Sequence, residues 1–335
     1  MRAVITGVAG FIGSHLAEGL IAGGFSVTGI DAFKPYYAPA EKEANLTGLK
    51  DEPCFDLIRG DVVSTDLRPV LAGSPAVIHL AAQPGVRQSF GKGFKAYVHD
   101  NVLATQRVFE AALEAGCPRV VYASSSSVYG NATHFPSRES LPTRPVSPYG
   151  VTKCTCESLA GVYRDLGLEA VGLRYFTVYG PRQRPDMAIR RVCEAAYGGP
   201  GYRVFGDGKL TQLGAAASRD FTYVLDAVDA TIRAVHAPRP SAVLNVGGGE
   251  EATMAHIISL VEQLTGRTLP VEFTAAHVGD VSRTAADTTK ARRELGWAPA
   301  VGLAEGLRAE LDWVETRLAS RMKSGVVARS SGRVA

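Results

Sequence analysis

A short apolar run, Ala3-Val-Ile-Thr6, leads straight into three glycines at Gly7, Gly10 and Gly13. Eighteen residues past the last of them, a second run over 26–30 ends in Asp31. The pattern reads as a strand, a tight turn, a helix over about 11–22 and a strand tipped with a carboxylate. Glycine is needed where a backbone must turn tightly, approach a pyrophosphate with no Cβ in the way and let a helix pack close to a strand. The first turn of that helix carries free N–H groups and the positive end of the helix dipole, which suits phosphates. A carboxylate on the second strand accepts the hydroxyls of an adenosine ribose and repels a 2′-phosphate. The chain is therefore expected to open as a βαβ unit that binds NAD rather than NADP, with Gly7, Gly10, Phe11, Ile12, Gly13 and Asp31 at the cofactor.

The alternation continues. Further strands are expected at 2–6, 56–59, 76–80, 119–123 and 170–174, with helices at 65–72, 100–115 and 148–166. Strands separated by helices pair in parallel, which predicts an α/β fold with a doubly wound parallel sheet of the Rossmann type over 1–175. Beyond residue 180 the strands shorten and Pro and Gly become more frequent, with helical pieces at 185–197, 226–236, 253–265 and 288–295. This part, 176–315, reads as a smaller mixed α/β substrate domain covering the carboxyl edge of the sheet, where ligands bind in such folds. Later segments are allowed to return to the first domain. Residues 321–335 lack periodicity and are expected to form a disordered tail.

Composition excludes several classes. The 335 residues are 46% hydrophobic and carry a net charge of only +3, so an ample core is expected and nucleic acid is not an expected partner. No apolar run approaches the ~18 residues of a membrane span, and the N-terminus enters a core strand with no room for a signal peptide. The five cysteines, at 54, 117, 154, 156 and 193, form no disulfide framework and suit a reduced, cytoplasmic protein. The seven histidines show no ligand spacing, and no metal is expected.

Ser147-Pro-Tyr149-Gly-Val-Thr-Lys153 begins a helix and places Tyr149 and Lys153 one turn apart on one face. A phenol is a poor base at neutral pH, and a neighbouring ammonium favours its ionised form. An exposed surface pair satisfies the same spacing. Upstream, the strand at 119–123 runs into Ser124-Ser-Ser-Ser127. Serines in a row pack nothing. They read either as a polar turn or, beside Tyr149 and Lys153, as hydroxyls that orient a reacting oxygen.

Taken with Asp61-Val62, His79-Leu-Ala-Ala82, Asn101-Val and Arg219-Asp-Phe-Thr-Tyr-Val224, these motifs resemble an extended short-chain dehydrogenase/reductase of the nucleotide-sugar epimerase/dehydratase kind over residues 1–315. The resemblance implies bound NAD, with Asp61 and Val62 near the adenine and Leu80, Ala81, Ala82 and Asn101 along the dinucleotide. It implies Ser125 as the catalytic hydroxyl, Tyr149 as the base and Lys153 as its electrostatic partner, the last two also touching the cofactor. Helices near 100–115 and 148–166 resemble the family's dimer-forming pair, which implies a homodimer, with a monomer as the alternative.

Reaction type and substrate follow from the same resemblance. The family's dehydratases place Asp and Glu where Ser126 and Ser127 stand, and its decarboxylases place Glu at the latter position. Hydroxyls alone imply simple return of the hydride, an epimerisation. Thr177-Val-Tyr-Gly-Pro and Arg184-Pro-Asp-Met187 resemble the uronate 4-epimerase branch, which acts on UDP-glucuronic acid. The planar fork of an arginine suits a C6 carboxylate, with Arg184 the first candidate and Arg87 the second. Ser126, Ser127, Thr177 and Met187 are expected around the sugar, and Arg219 and Arg283 at the pyrophosphate and its ribose. A UDP-glucose 4-epimerase and a catalytically silent NAD-binding regulator are the competing readings. Residues 209–218 form a link several residues longer than the family's usual one.

Overall fold

The computed structural model describes residues 1–206, 217–275 and 279–323. Of the insertion expected at 209–218, residues up to 216 lie outside the described ones, as do 324–335 of the expected tail.

The glycine pattern folds as it demands: β1 (Arg2–Thr6), α1 (Phe11–Ala22), β2 (Ser26–Asp31), a short α2 (Pro39–Asn45) and β3 (Phe55–Arg59). A single turn, α3 (Arg68–Leu71), precedes β4 (Ala76–His79). It is shorter than the helix expected over 65–72, because Asp61 holds a turn there: its carboxylate accepts from the Val63 N–H at 2.9 Å and its carbonyl from the Thr65 N–H at 2.8 Å. The helix expected over 100–115 is continuous but not uniform. It starts as α4 (Phe94–Tyr97), widens into a π turn at Val98–Leu103 and becomes α5 (Ala104–Glu114). β5 (Arg119–Ser125), α6 (Pro148–Asp165) and β6 (Glu169–Tyr175) follow.

After β6 come β7 (Thr177–Tyr179), α7 (Ala188–Ala196), β8 (Tyr202–Gly206), β9 (Ser218–Tyr223) and α8 (Val224–His236). The chain ends with β10 (Val243–Val246), β11 (Glu251–Thr253), α9 (Met254–Thr265), β12 (Val271–Ala275), α10 (Thr289–Leu295) and α11 (Leu303–Lys323). Helix α11 is not among the helices expected from the sequence, and it still runs at 321, where a tail is expected. Leu303, Leu307, Leu311 and Val314 recur at helical spacing along it and are buried, packing it against α7 and α9.

Seven strands form one sheet in the order β10-β6-β5-β4-β1-β2-β3, every pair parallel. β10 thus rejoins the sheet beside β6 after the chain has left it for the smaller strands β7, β8 and β9. Those strands pair elsewhere: β11-β9-β7 in a mixed sheet and β12-β8 as a parallel pair. The strand order reverses between β1 and β4, so the chain diverges at their carboxyl ends and leaves a crevice there.

The sheet is buried on both faces. On one, α1 packs against α8 so closely that a Cβ on Gly19 would stand 3.3 Å from Val228 and Ile232. On the other, Phe109 of α5 meets Tyr122 of β5 and Tyr163 of α6, with ring centroids 5.4 Å apart in each pair. Among the described residues no helix is long and apolar enough to cross a membrane.

Candidate active site

A cleft of about 380 Å³ opens at the crevice between β1 and β4. Its floor is the glycine turn. Gly7 has φ +75°, and a Cβ there would lie 2.7 Å from the Ala81 nitrogen beyond β4. A Cβ on Gly13 would lie 2.2 Å from the Gly7 carbonyl oxygen, so only glycine lets α1 start against the turn. Gly10, the N-cap of α1, has no side chain to occupy the first N–H groups, which are left for a ligand. Phe11, Ile12, Leu80, Ala81 and Ala82 line the same end.

Asp31 closes β2 and lines the cleft, nearly buried. Its Oδ2 accepts from the Ala9 N–H at 3.1 Å and its Oδ1 from the Phe33 N–H at 2.8 Å, the latter turned inward by a left-handed backbone at Phe33 (φ +49°). Two amides fix the carboxylate while leaving it lone pairs to offer a diol. A glycine cradle under a helix N-terminus, beside such an acid, fits a dinucleotide.

Asp61 and Val62 line the next stretch of wall. Asp61, His99 and Asp100 bring potential metal-ligand atoms within 4.8 Å of one another. The Lys34 ammonium, however, bonds both carboxylates, at 2.7 Å to Asp61 and 2.5 Å to Asp100. Burial works against that ammonium, but the two hydrogen bonds outweigh it and hold Lys34 above its ordinary pKa. The cluster already contains its cation.

The catalytic candidates meet at the other end. β5 delivers Ser125, whose Oγ accepts from the Ser127 N–H at 3.1 Å as the strand turns into a 3₁₀ segment. Ser147 caps α6 by accepting from the Gly150 N–H at 3.1 Å, and Pro148 takes the first helical position, where its missing N–H costs nothing. Tyr149 is thereby presented at the helix start. Gly150 has its own reason to be glycine: a Cβ there would lie 2.7 Å from the Ser127 carbonyl oxygen, so the helix approaches the serine run only without one.

Lys153 is buried, one turn on, and donates to the Ala123 carbonyl at 2.7 Å, its Nζ 6.0 Å from the Tyr149 ring centre. Behind it lies His79, which bridges Thr6 Oγ1 at 2.7 Å and Thr105 Oγ1 at 3.2 Å. Burial, then the charge of Lys153, push His79 down to about 3, so the imidazole is neutral. The serine run is anchored from below. Ser124 donates to Glu157 at 2.5 Å, and Glu157 grips the buried Arg174 through bonds of 2.8 and 2.7 Å, tying α6 to β5 and β6.

Ser126, Ser127, Thr177, Arg184 and Met187 line the cleft beyond Tyr149. Arg184 is paired with Asp186, which also accepts from the Tyr36 hydroxyl at 3.0 Å. Four sequence-chosen residues do not line this cleft. Asn101 is buried inside the π turn, where its side chain accepts from the Gln83 N–H at 2.7 Å and donates to the Gln83 carbonyl and to Thr152. It therefore fastens the loop after β4 to α6. Arg87 pairs with Asp280 at 2.9 Å, and Arg219 lies in the field of both. Arg283 grips Glu251 and stacks 4.6 Å from the centre of the Phe135 ring.

Residues outside the sequence-chosen set also shape the site. Asp186, Lys34, Lys42 and the Glu157–Arg174 pair neutralise or position groups in it. Glu157, four residues past Lys153 on the same helical face, and Asp186, inside Arg184-Pro-Asp-Met187, carry local signals.

The GDP-mannose 4,6-dehydratase family model matches residues 4–309. The uncharacterized UDP-glucose epimerase YtcB of Bacillus subtilis (strain 168) is 40% identical over 94% of this chain and 98% of its own length. The UDP-glucuronate 4-epimerase of Thermodesulfobacterium geofontis (strain OPF15) is 36% identical over 92% of this chain and 95% of its own. Among solved structures, the UDP-glucuronic acid 4-epimerase from Bacillus cereus, in complex with UDP-glucuronic acid and NAD, is 39% identical with a TM-score of 0.88, over 95% of this chain and 100% of that one. The chain belongs to the GDP-mannose 4,6-dehydratase family, the NAD-dependent extended short-chain dehydrogenases/reductases that comprise nucleotide-sugar epimerases and dehydratases.

Proposed function

We propose that the protein is an NAD-dependent 4-epimerase that interconverts UDP-glucuronic acid and UDP-galacturonic acid through a 4-keto sugar. The observation that carries this reading is the make-up of the wall beside Tyr149. It offers hydroxyls at Ser125, Ser126, Ser127 and Thr177, while the acids lining the cleft among the described residues are Asp31, Asp61 and Asp100, all at the β2–β3 end. Removing water from C5–C6 needs an available acid or base there; Asp186 beside this wall is taken up by Arg184 and Tyr36, and among the described residues no carboxylate lines the wall itself.

Bound NAD supplies one chemistry, taking up the C4 hydride and returning it to the opposite face of the sugar. Gly7, Gly10, Gly13, Asp31, Asp61 and Ala81 would hold it. Tyr149, as phenolate, accepts the O4 proton while C4–O becomes a carbonyl, and Ser125 orients that oxygen. On return of the hydride, the Tyr149 phenol gives the proton back, so the cycle is balanced. The Lys153 ammonium, 6.0 Å from the Tyr149 ring centre, is the positive charge beside that proton transfer. A C4 ketone makes the uronate a β-keto acid, which loses CO₂ when the C5–C6 bond stands perpendicular to the carbonyl plane. Ser126, Ser127 and Thr177, whose hydroxyls bond no other described side chain, are the groups to hold the carboxylate out of that geometry. Arg219 and Arg283 are assigned to the pyrophosphate end; Arg87, the second candidate for the carboxylate, pairs with Asp280 near Arg219 and outside the cleft lining, and is moved to that end as well.

A second reading, a UDP-glucose 4-epimerase, is supported by the Arg184–Asp186 pair, which leaves the C6 wall without net charge. The same chain offers a face for a second copy: Val98, Leu103 and Leu113 before and along α5, and Val151, Val162 and Leu166 on and after α6, are exposed apolar side chains, and we assign a homodimer to it. A cytoplasmic location belongs to the same reading.

Incubation of the purified protein with UDP-glucuronate or UDP-glucose, without added NAD, tests the assignment. UDP-galacturonate from the first is expected. Turnover of UDP-glucose alone establishes the second reading, and no product with either sugar, even after NAD is added, establishes a silent NAD-binding protein. Tyr149→Phe should abolish product while leaving NAD bound.

A further inference from the structure

Lys42 stands on α2, in the segment that follows Asp31, and its side chain lines the dinucleotide end of the cleft at 12% exposure. Its ammonium lies 3.6 Å from Asp31 Oδ1, inside ion-pair range but beyond hydrogen-bond distance, and 5.4 Å from the centre of the Tyr37 ring. Among the described residues it makes no hydrogen bond. A nearly buried ammonium with three unused donors is costly unless an acceptor reaches it. The other cation near Asp31 is differently placed, since Arg59 is engaged by both oxygens of Glu43 at 2.6 and 3.0 Å. Lys42 is thus the cation at this end whose donors face the cleft unused.

We propose that Lys42 is a cofactor-binding residue that works as a pair with Asp31, and that this pair sets the choice between NAD and NADP. Asp31 accepts from the hydroxyls of the adenosine ribose, and Lys42 donates to their oxygens. Its positive charge also offsets that of Asp31, so the two together present a neutral donor–acceptor pair matched to an uncharged diol. A 2′-phosphate meets Asp31 as a like charge and is rejected. The pair also contains a latent switch: with Asp31 neutralised, Lys42 remains as an unbalanced ammonium placed to bond a phosphate. The assignment concerns cofactor choice alone and holds whichever sugar the site takes.

Direct competition tests it without relying on turnover. Wild type, Lys42→Met, Asp31→Asn and the double variant are dialysed against equimolar NAD and NADP, and the nucleotides are then released with acid and quantified. Wild type should hold NAD in large excess. Lys42→Met should retain less NAD, roughly tenfold weaker by the conversion of a lost charge-assisted bond. Asp31→Asn should raise the NADP share by roughly tenfold or more, and adding Lys42→Met should abolish that rise. A Lys42→Met protein with unchanged NAD retention overturns the proposal, and so does an NADP gain in Asp31→Asn that survives in the double variant. If Asp31→Asn holds no nucleotide, the Lys42→Met arm alone decides, with the circular dichroism of each variant showing that it is folded.

Discussion

Arg184 and Asp186, two residues apart, face each other through a double hydrogen bond, Nε to Oδ1 at 3.0 Å and Nη2 to Oδ2 at 3.1 Å. The pairing changes what an arginine on this wall can do. Its charge is already balanced, so its attraction for a sugar carboxylate depends on sharing the fork with Asp186. Removing Arg184 would leave the Asp186 carboxylate uncompensated beside the cleft, facing an anion. Arg184→Ala should therefore lower kcat/KM for UDP-glucuronate by about 10- to 100-fold and that for UDP-glucose far less. Adding Asp186→Asn should recover most of the loss for the uronate. Steady-state kinetics with both sugars check this; equal losses for the two would place Arg184 at the phosphates or in the fold.

The hydroxyl wall makes a different prediction, one about product rather than rate. Ser127 and Thr177 each offer a hydroxyl to the cleft. If they restrain the carboxylate of the 4-keto sugar, Ser127→Ala and Thr177→Val should release CO₂ and a UDP-pentose alongside the epimer, and the double variant should release more than either. Losing one hydrogen bond to a charged group is worth roughly 1.5–3 kcal/mol, enough to shift the partition by about tenfold or more. Labelled substrate with trapping of CO₂ measures it. Variants that slow epimerisation without any pentose would remove these hydroxyls from the carboxylate.

Some of the site was legible in the chain because its signals are local. Gly7, Gly10, Gly13 and Asp31 fall within one βαβ unit, and Ser147 with Pro148 announces the helix that carries Tyr149 and Lys153. What escaped was long-range or irregular. The Tyr36–Asp186 contact joins residues 150 apart, and nothing in either segment signals the other. Asn101 sits in a π turn, where helical periodicity breaks, and that turn points its side chain into Gln83 and Thr152 instead of the cleft. Helix α11 carries a readable leucine pattern at 303, 307 and 311, yet the strongly polar residues between them, such as Glu305 and Arg308, mask it. A return of a later segment to the main sheet is allowed by the sequence, but that β10 is the segment follows from its pairing with β6, which four residues cannot announce.

The apolar side chains on α6 yield a prediction about assembly. Val162 and the adjoining Leu166 are 58% and 60% exposed, unusual for residues of this kind unless something covers them. Val162→Asp should shift the protein to a monomer in sedimentation velocity at concentrations where wild type sediments as a dimer. Because Val162 contributes little to the core, the circular dichroism of the variant should match wild type. A wild-type protein that is monomeric at every concentration tested would exclude the dimer.

Glu310 on α11 is fully buried and far from any solvent that could hydrate its charge. Its Oε2 accepts from the Gly180 N–H at 2.9 Å, while Oε1 has no hydrogen-bond partner among the described residues. Burial pushes this carboxyl well above its ordinary value of 4.5, and the Gly180 bond and the charge of Arg190 do not make up the difference. The folded protein therefore holds a proton there that the unfolded chain releases near 4.5. The stability due to Glu310 is fully present below that unfolded value and is lost as pH rises toward the folded one, with a slope of at most ~1.4 kcal/mol per pH unit. Glu310→Gln keeps the shape of the protonated acid but has no proton to lose. Its stability relative to wild type should rise as pH climbs above the unfolded value of 4.5, because the difference between the two proteins cancels every other titrating group. Urea midpoints at several pH values give that difference directly. A gap that stays constant across the range would mean that Glu310 keeps the same charge in the folded and unfolded chain.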